Sequence, residues 1–369
     1  MIRRVVPLLG LAALLTACGG NGADSANTLT IYVDGDVNVK DLYQKTLVPG
    51  FEKANAGIKV NMVFSEHGQN NSPMLNRLGA SVKTKSDPPF DVVDSGIAKD
   101  AARGKLLDQL AADKVANLAK VKPELLTPYD NRVMPYRGSA VILAYDGTKV
   151  TSPPTTMAAL LDWIKANPGK FTYNSPPTGG SGDAFVNTVL TMNMDPASVT
   201  KSTQTYDKSI QTQWDKGLQV LKGLTPSVYQ KVYPNGNAEV VNLLSKGEIW
   251  MAPVWSDQIL AAKDSGLIKD NIKLGQITDP PFTGSATYIG LASNSKHKDA
   301  AYKWFNYLLE KEPQTEIVKK MSGYPAIPSS ELPAELQDKF KGLETDNLRP
   351  GFETQTDADA KEAWQKTVP

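Results

Sequence analysis

The run LTIYVDGDVNVKDLYQKTLVPGFEKANAGIKVNMVFSEHG, residues 29–68, decides the fold class. Its opening, Leu29–Val33, is apolar and β-branched and stops at Asp34-Gly35-Asp36, the pattern of a strand closed by a turn. Leu42, Tyr43, Val48 and Phe51 then supply the apolar positions of a helix over 39–56 that stops at Gly57, and Pro49 is predicted to kink or split it. Ile58–Phe64 is a second strand, ending at Ser65-Glu66-His67-Gly68. Ser72 and Pro73 stand where the cap and first residue of the next helix belong. Asp91-Val92-Val93 reads as a buried third strand, ending at Asp94-Ser95-Gly96. Strand, helix, strand, helix, strand with short loops is βαβ alternation and predicts a parallel sheet. Ligands bind such sheets outside the carboxyl ends of the strands. Asp34, Asp36, Glu66, Asp94 and Ser95 therefore form one rim of candidate contacts, although Asp, Ser and Gly are also ordinary turn residues.

Further along, Met134–Gly138 leads into an apolar strand at Ser139–Tyr145 and is a candidate crossover between lobes. Arg137 there would tie the hinge together or bind an anion. A helix over Thr156–Asn167 is stopped by Pro168-Gly169, and Phe171-Thr172-Tyr173 reads as a strand. The run NSPPTGGSG, Asn174–Gly182, feeds a helix from Asp183. Backbone N–H groups at a glycine-rich helix start make a polar binding surface, so Asn174 and Ser181 are candidates. The run is neither a Walker motif nor a dinucleotide fingerprint, because no Lys-Ser/Thr follows and the glycine spacing is wrong. Tyr206–Gly223 is predicted as one amphipathic helix. In Gly247–Gly290 a strand at Ile249–Val254 breaks at Trp255-Ser256-Asp257, and a second opens with Thr287-Tyr288. An indole at a strand end, followed by a hydroxyl, suits stacking on a sugar ring or attracting a cation. Trp255 and Ser256 are candidates for that reason, with Tyr136, Tyr288 and Tyr324 beside the expected hinges. Ala301, Trp304, Phe305 and Leu308 form a core stripe on a helix over His297–Glu310. Trp364 anchors a last helix over Asp357–Thr367.

The chain is long enough for two domains, and its 41% apolar and 21% charged residues are those of a globular protein. A net charge of +1 with interspersed signs leaves no footprint for nucleic acid. Arg3, Arg4 and the short apolar run Val5–Leu15 look like a signal peptide. Leu15-Thr16-Ala17-Cys18-Gly19 resembles a bacterial lipobox. This implies a signal peptide at 1–17, a lipid on Cys18 and a flexible tether over 18–28. Cys18 is the sole cysteine, so no disulfide framework is expected. The expected location is extracytoplasmic, on the outer face of the cell membrane or in the periplasm. Neither metal nor cofactor is expected: His67 and His297 are the only histidines, and no carboxylates have ligand spacing. A nucleophile elbow and a Ser-x-x-Lys motif with its partners are both missing. The remaining hydrolase reading is a glycosidase pair drawn from Asp34, Asp36, Glu66 and Asp94.

Taken together, the lipobox, Phe51-Glu52-Lys53 before the second strand, Asp91-Val92-Val93 and the run Asn294–Ala301 with Trp304–Leu309 and Pro313-Gln314 carry a resemblance. So does Asn167–Tyr173 with Pro176-Pro177, Gly182 and Ala184-Phe185. The chain is similar to family 1 extracellular solute-binding proteins, the receptors of bacterial ABC importers. The resemblance implies an α/β, two-lobed, periplasmic-binding-protein-like (type II) fold with a ligand cleft between the lobes. It implies lobe one at 29–137 plus 286–328 and lobe two at 139–283 plus 329–369. Further implications are a small-molecule solute, permease subunits as partners, a monomer, and binding without catalysis. A carbohydrate is the expected solute, with polyamine or thiamine as alternatives drawing on the acidic rim and Trp255. A sensory or adhesion role would use the same two lobes.

Overall fold

In the computed structural model the described residues are 27–35, 37–66, 68–341, 343 and 349–369. The leader, Cys18, most of the tether, Asp36 and His67 lie outside them.

Three parallel strands open the fold: β1 (Thr28–Gly35), β2 (Lys59–Glu66) and β3 (Val92–Asp94), with β1 between the other two. Helix Asn71–Thr84 connects β2 to β3. The connection from β1 to β2 shows what Pro49 does. Helices Val37–Leu42 and Val48–Ala54 are joined by one π-helical stretch, Tyr43–Leu47, directly before the proline. Proline has no N–H to give the preceding turn, and the wider i→i+5 pattern absorbs the defect without ending the helix.

A 13-residue strand, β4 (Met134–Asp146), then runs through the middle of the molecule. The sequence pattern marks only its second half, because Pro135 and Gly138 interrupt the first. Residues 134–140 pair antiparallel with β7 (Gly284–Leu291), and 141–146 pair with β5 (Met251–Trp255) and β6 (Ile272–Gly275). β8 (Tyr324–Pro325) adds to β4 at Arg137 and Gly138. With β3 against β7, the strand order is β2-β1-β3-β7-β4-β5. The β4–β7 register shifts between Pro135 and Arg137. This irregularity turns Tyr136 fully inward, and Pro135, lacking a donor, sits where the ladder is already broken.

The buried side chains form four clusters, which group into two sets, the cluster of Ile142, Val240 and Val254 lying beside the second. One surrounds β1–β3 and includes Tyr43, Phe51, Trp304 and Phe305, with Trp304 edge-on to Phe51 at 5.0 Å. The other surrounds β5 and includes Phe171, Tyr173, Phe185, Trp214 and Trp364. The Trp364 indole donates to Tyr173 Oη at 3.1 Å and fixes the last helix, Thr354–Thr367, to the second set. Leu332, Leu336 and Phe340 join the first set, although sequence placed residues 329–369 together with the second lobe.

Several expected boundaries differ. Helix Asn71–Thr84 is preceded by Asn70, not capped by Ser72, and Pro73 falls in its first turn, where no N–H is needed. Phe171 makes only isolated bridges, to Val228 and Met251, in place of a strand at Phe171–Tyr173. Residues 206–223 divide because the Asp207 carboxylate accepts from Ser209 N at 2.9 Å and starts a separate 3₁₀ turn, Lys208–Gln213. The α-helix resumes at Asp215–Leu224.

Candidate functional site

The carboxyl ends of β1, β2 and β3 do lie side by side, as parallel pairing requires. Asp34 is half-buried there and accepts from Asn71 Nδ2 at 2.5 Å and Gly96 N at 3.1 Å. Glu66 ends β2 and is exposed. Asp94 is enclosed: it is 2% exposed and accepts from Tyr43 Oη at 2.5 Å and Tyr136 Oη at 2.8 Å. Burial pushes its carboxyl up to about 6, even though the two phenols and Arg137 favour the charged form. The Arg137 guanidinium lies over the Tyr136 ring at 5.7 Å. Ser95 is buried, and its hydroxyl accepts from Ile97 N at 3.2 Å.

The glycine-rich run starts a helix at Gly180–Thr191. Its first N–H groups are taken by side chains of the protein itself. Asn174 Oδ1 accepts from Gly182 N at 2.7 Å, and Asn237 Oδ1 accepts from Ser181 N at 3.0 Å. The Ser181 hydroxyl lies 2.8 Å from both amide oxygens. Asn174 and Ser181 are wholly buried in this arrangement. Glycine is required at 182, where a Cβ would stand 1.8 Å from the Asn174 carbonyl oxygen. At Gly180 a Cβ would come within 2.8 Å of the Trp255 indole, so the missing side chain makes room for that ring.

Trp255 is the last residue of β5 and half-buried. Ser256 behind it is fully buried, accepts from Ala140 N at 3.2 Å and stands 3.1 Å from the Ser139 hydroxyl. Ser139 also donates to Asp257 at 2.8 Å. Tyr324 is buried edge-on to Phe340, and Tyr288 packs edge-on to Tyr129 with ring centres 5.0 Å apart.

A cavity of about 210 Å³ lies between the two core sets. Lys99, Arg103 and Tyr129 line it from the first; Gly180, Asp183, Trp255 and Asp357 line it from the second. Gly284, Ser285, Ala286 and Tyr288 of β7 run between them. Of the residues singled out by sequence, Trp255 and Tyr288 face this cavity. Asp34, Glu66, Asp94, Ser95, Tyr136, Asn174, Ser181, Ser256 and Tyr324 are not among its lining residues.

Its charged residues were missed by sequence reasoning. Lys99 and Arg103 are four apart on the short helix Ala98–Arg103 that follows the Asp94–Gly96 rim, a spacing that was visible. Asp183 and Asp357 meet only in the folded chain. Lys361 Nζ joins them, 2.6 Å from Asp357 and 3.7 Å from Asp183. Burial, then the charge of Asp357, push the Asp183 carboxyl well above the usual carboxylate range. Burial opposes the Lys361 ammonium, but the two carboxylates outweigh it and raise its pKa. Lys99 is pulled down, first by burial and then by Arg103.

Among the described residues, no group of three or more His, Cys, Asp and Glu stands as a metal site, and no helix is long and apolar enough to cross a membrane. The cavity is two-sided, with aromatic and ionic walls. The sequence pattern of bacterial extracellular solute-binding proteins matches residues 46–344. The chain belongs to that family.

Among curated proteins, this solute-binding family member is 26% identical over 205 residues to Protein YnjB of Escherichia coli (strain K12), a match covering 53% of this chain and 50% of that one. The chain thus spans about half the length of the curated relative it matches. A crystal structure from Bordetella parapertussis, described as an extracellular solute-binding protein, superposes with a TM-score of 0.75 at 17% identity, covering 94% of this chain and 100% of that one. The spermidine/putrescine ABC transporter substrate-binding protein PotD from Streptococcus pneumoniae has a TM-score of 0.66 at 15% identity, covering 93% and 100%. These likenesses establish the two-lobed periplasmic-binding-protein fold.

Proposed function

We propose that this chain is the extracytoplasmic receptor of an ABC importer, capturing a small polar organic solute between its lobes and delivering it to the membrane permease. The observation that carries this reading is the cavity lined from both core sets beside the β4–β7 pair that joins them. Lobe one is built on β1–β3 and lobe two on β5 and β6, and solute binding draws them together about β4 and β7. A lipid on Cys18 would hold a monomeric receptor at the membrane. Family membership supports binding in place of turnover.

Trp255 on the cavity wall supports a carbohydrate, whose ring an indole face suits. Asp183 and Asp357 on the same wall support a cationic solute such as a polyamine or thiamine. The test is native mass spectrometry of the purified protein for a co-purified small molecule, followed by thermal-shift measurements with each solute class. A ligand at a hundred times its dissociation constant stabilises by about 2.7 kcal/mol, enough to raise the melting temperature visibly. Glycoside turnover that is lost in Asp34→Asn would overturn the receptor reading in favour of a hydrolase.

A further inference from the structure

We propose that the solute is a compact zwitterion, its anionic end on Lys99 and Arg103 and its cationic end on Asp183 and Asp357. This deepens the receptor reading and rests on it.

The charge on each wall leads to this class. On the first wall, Arg103 already has a carboxylate partner, Asp100, at 3.1 Å. Lys99 has no direct hydrogen-bond or ion-pair partner among the described residues and feels Arg103, Asp100 and Asp357 only at longer range. One positive charge is therefore uncompensated there. On the second wall, two carboxylates share the single ammonium of Lys361. Nearby Glu353 is engaged elsewhere, capping the last helix by accepting from the N–H groups of Gln355 and Thr356. Burial and the charge of Asp357 hold the Asp183 carboxyl well above the usual carboxylate range, so in the empty cavity it keeps its proton and ionises only when a cation joins this wall. Burying the Lys99 charge without an anion is costly, and closure over a neutral solute would do so. A dication would leave Lys99 unmatched, and a dianion would bring no cation to the Asp183–Asp357 pair. A molecule with one charge of each sign at opposite ends neutralises both walls.

The surface of the cavity narrows the class. Tyr129 and Trp255 add an aromatic lining to the two walls, suited to a short methylene chain and to the rim of an ammonium group. A short ω-amino acid has the charges and an apolar chain between them.

Calorimetric titration of the purified protein with 4-aminobutyrate and 5-aminopentanoate tests this, with butyrate, butylamine, putrescine and glucose as comparison probes. The expected result is binding of an ω-amino acid with single-charge halves weaker by roughly tenfold or more. Lys99→Met and Asp183→Asn should each weaken that binding by a similar factor, while ligand-free melting temperatures show that both variants are folded. If putrescine or glucose binds, the ω-amino acids do not, and Lys99→Met has no effect, the zwitterion is overturned and the receptor reading stands. If no probe binds and no small molecule co-purifies, both fall.

Discussion

Asp94 shows how much a single side chain can depend on its surroundings. Two phenols donate to it, yet burial still raises its carboxyl to about 6, above the value near 3.9 of an unfolded chain. Between those two values the native state holds more protons than the unfolded state, so this group makes stability fall as pH rises. Its contribution is fully present below about pH 4 and lost as pH passes about 6. Asp94→Asn cannot ionise. The stability difference, variant minus wild type, should therefore grow by on the order of 2 kcal/mol from pH 4 to pH 7, whatever constant cost the substitution carries. Urea denaturation at a series of pH values measures it, and a flat difference would contradict this account. The sequence placed Asp94 at the carboxyl end of its strand, where it lies. It could not place the two phenols that enclose it, because Tyr43 comes from a π turn and Tyr136 from a register shift in β4. The cavity's charges were hidden for a similar reason: Asp183 and Asp357 are far apart in sequence and meet only through Lys361.

At the scale of elements, period and punctuation carried most of the fold. Strands β1, β2 and β3 were legible because apolar, β-branched runs end on polar turn residues: Asp34-Gly35, Ser65-Glu66-His67-Gly68 and Asp94-Ser95-Gly96. The helices of both cores were legible from their apolar stripes. What failed were local substitutions of one backbone pattern for another. The Asp207 side chain offered Ser209 N an alternative partner and broke the helix expected over 206–223. The first half of β4 reads as a loop because strand formation there depends on β7, which pairing alone reveals. The last helix is held by one residue above others. Trp364 is buried against Tyr173 and Tyr233, and its indole N–H is satisfied by Tyr173. Trp364→Ala should cost about 3–5 kcal/mol, read as a lowered denaturation midpoint at unchanged slope. Because this helix carries Asp357 and Lys361, the same variant should also weaken solute binding. A variant that loses neither stability nor affinity would show that the helix is not part of the second core.

At the scale of the molecule, two cores joined by β4 and β7 predict closure without internal rearrangement of either core. Small-angle scattering should show the radius of gyration, on the order of 20 Å for a compact chain of this size, decreasing at saturating solute. No change at saturation would remove lobe closure from the mechanism. The same strands impose an order on biosynthesis. Val92–Asp94 of β3 find their outer partners only at Ile289–Leu291 of β7. A chain made and exported N-terminus first presents β1, β2 and β3 with one sheet edge bare until most of the protein has followed. Bare edges pair with whatever strand they meet, and pairings so distant in sequence form slowly. The interval between the emergence of Asp94 and that of Gly284 is therefore when this edge is most open to wrong pairing.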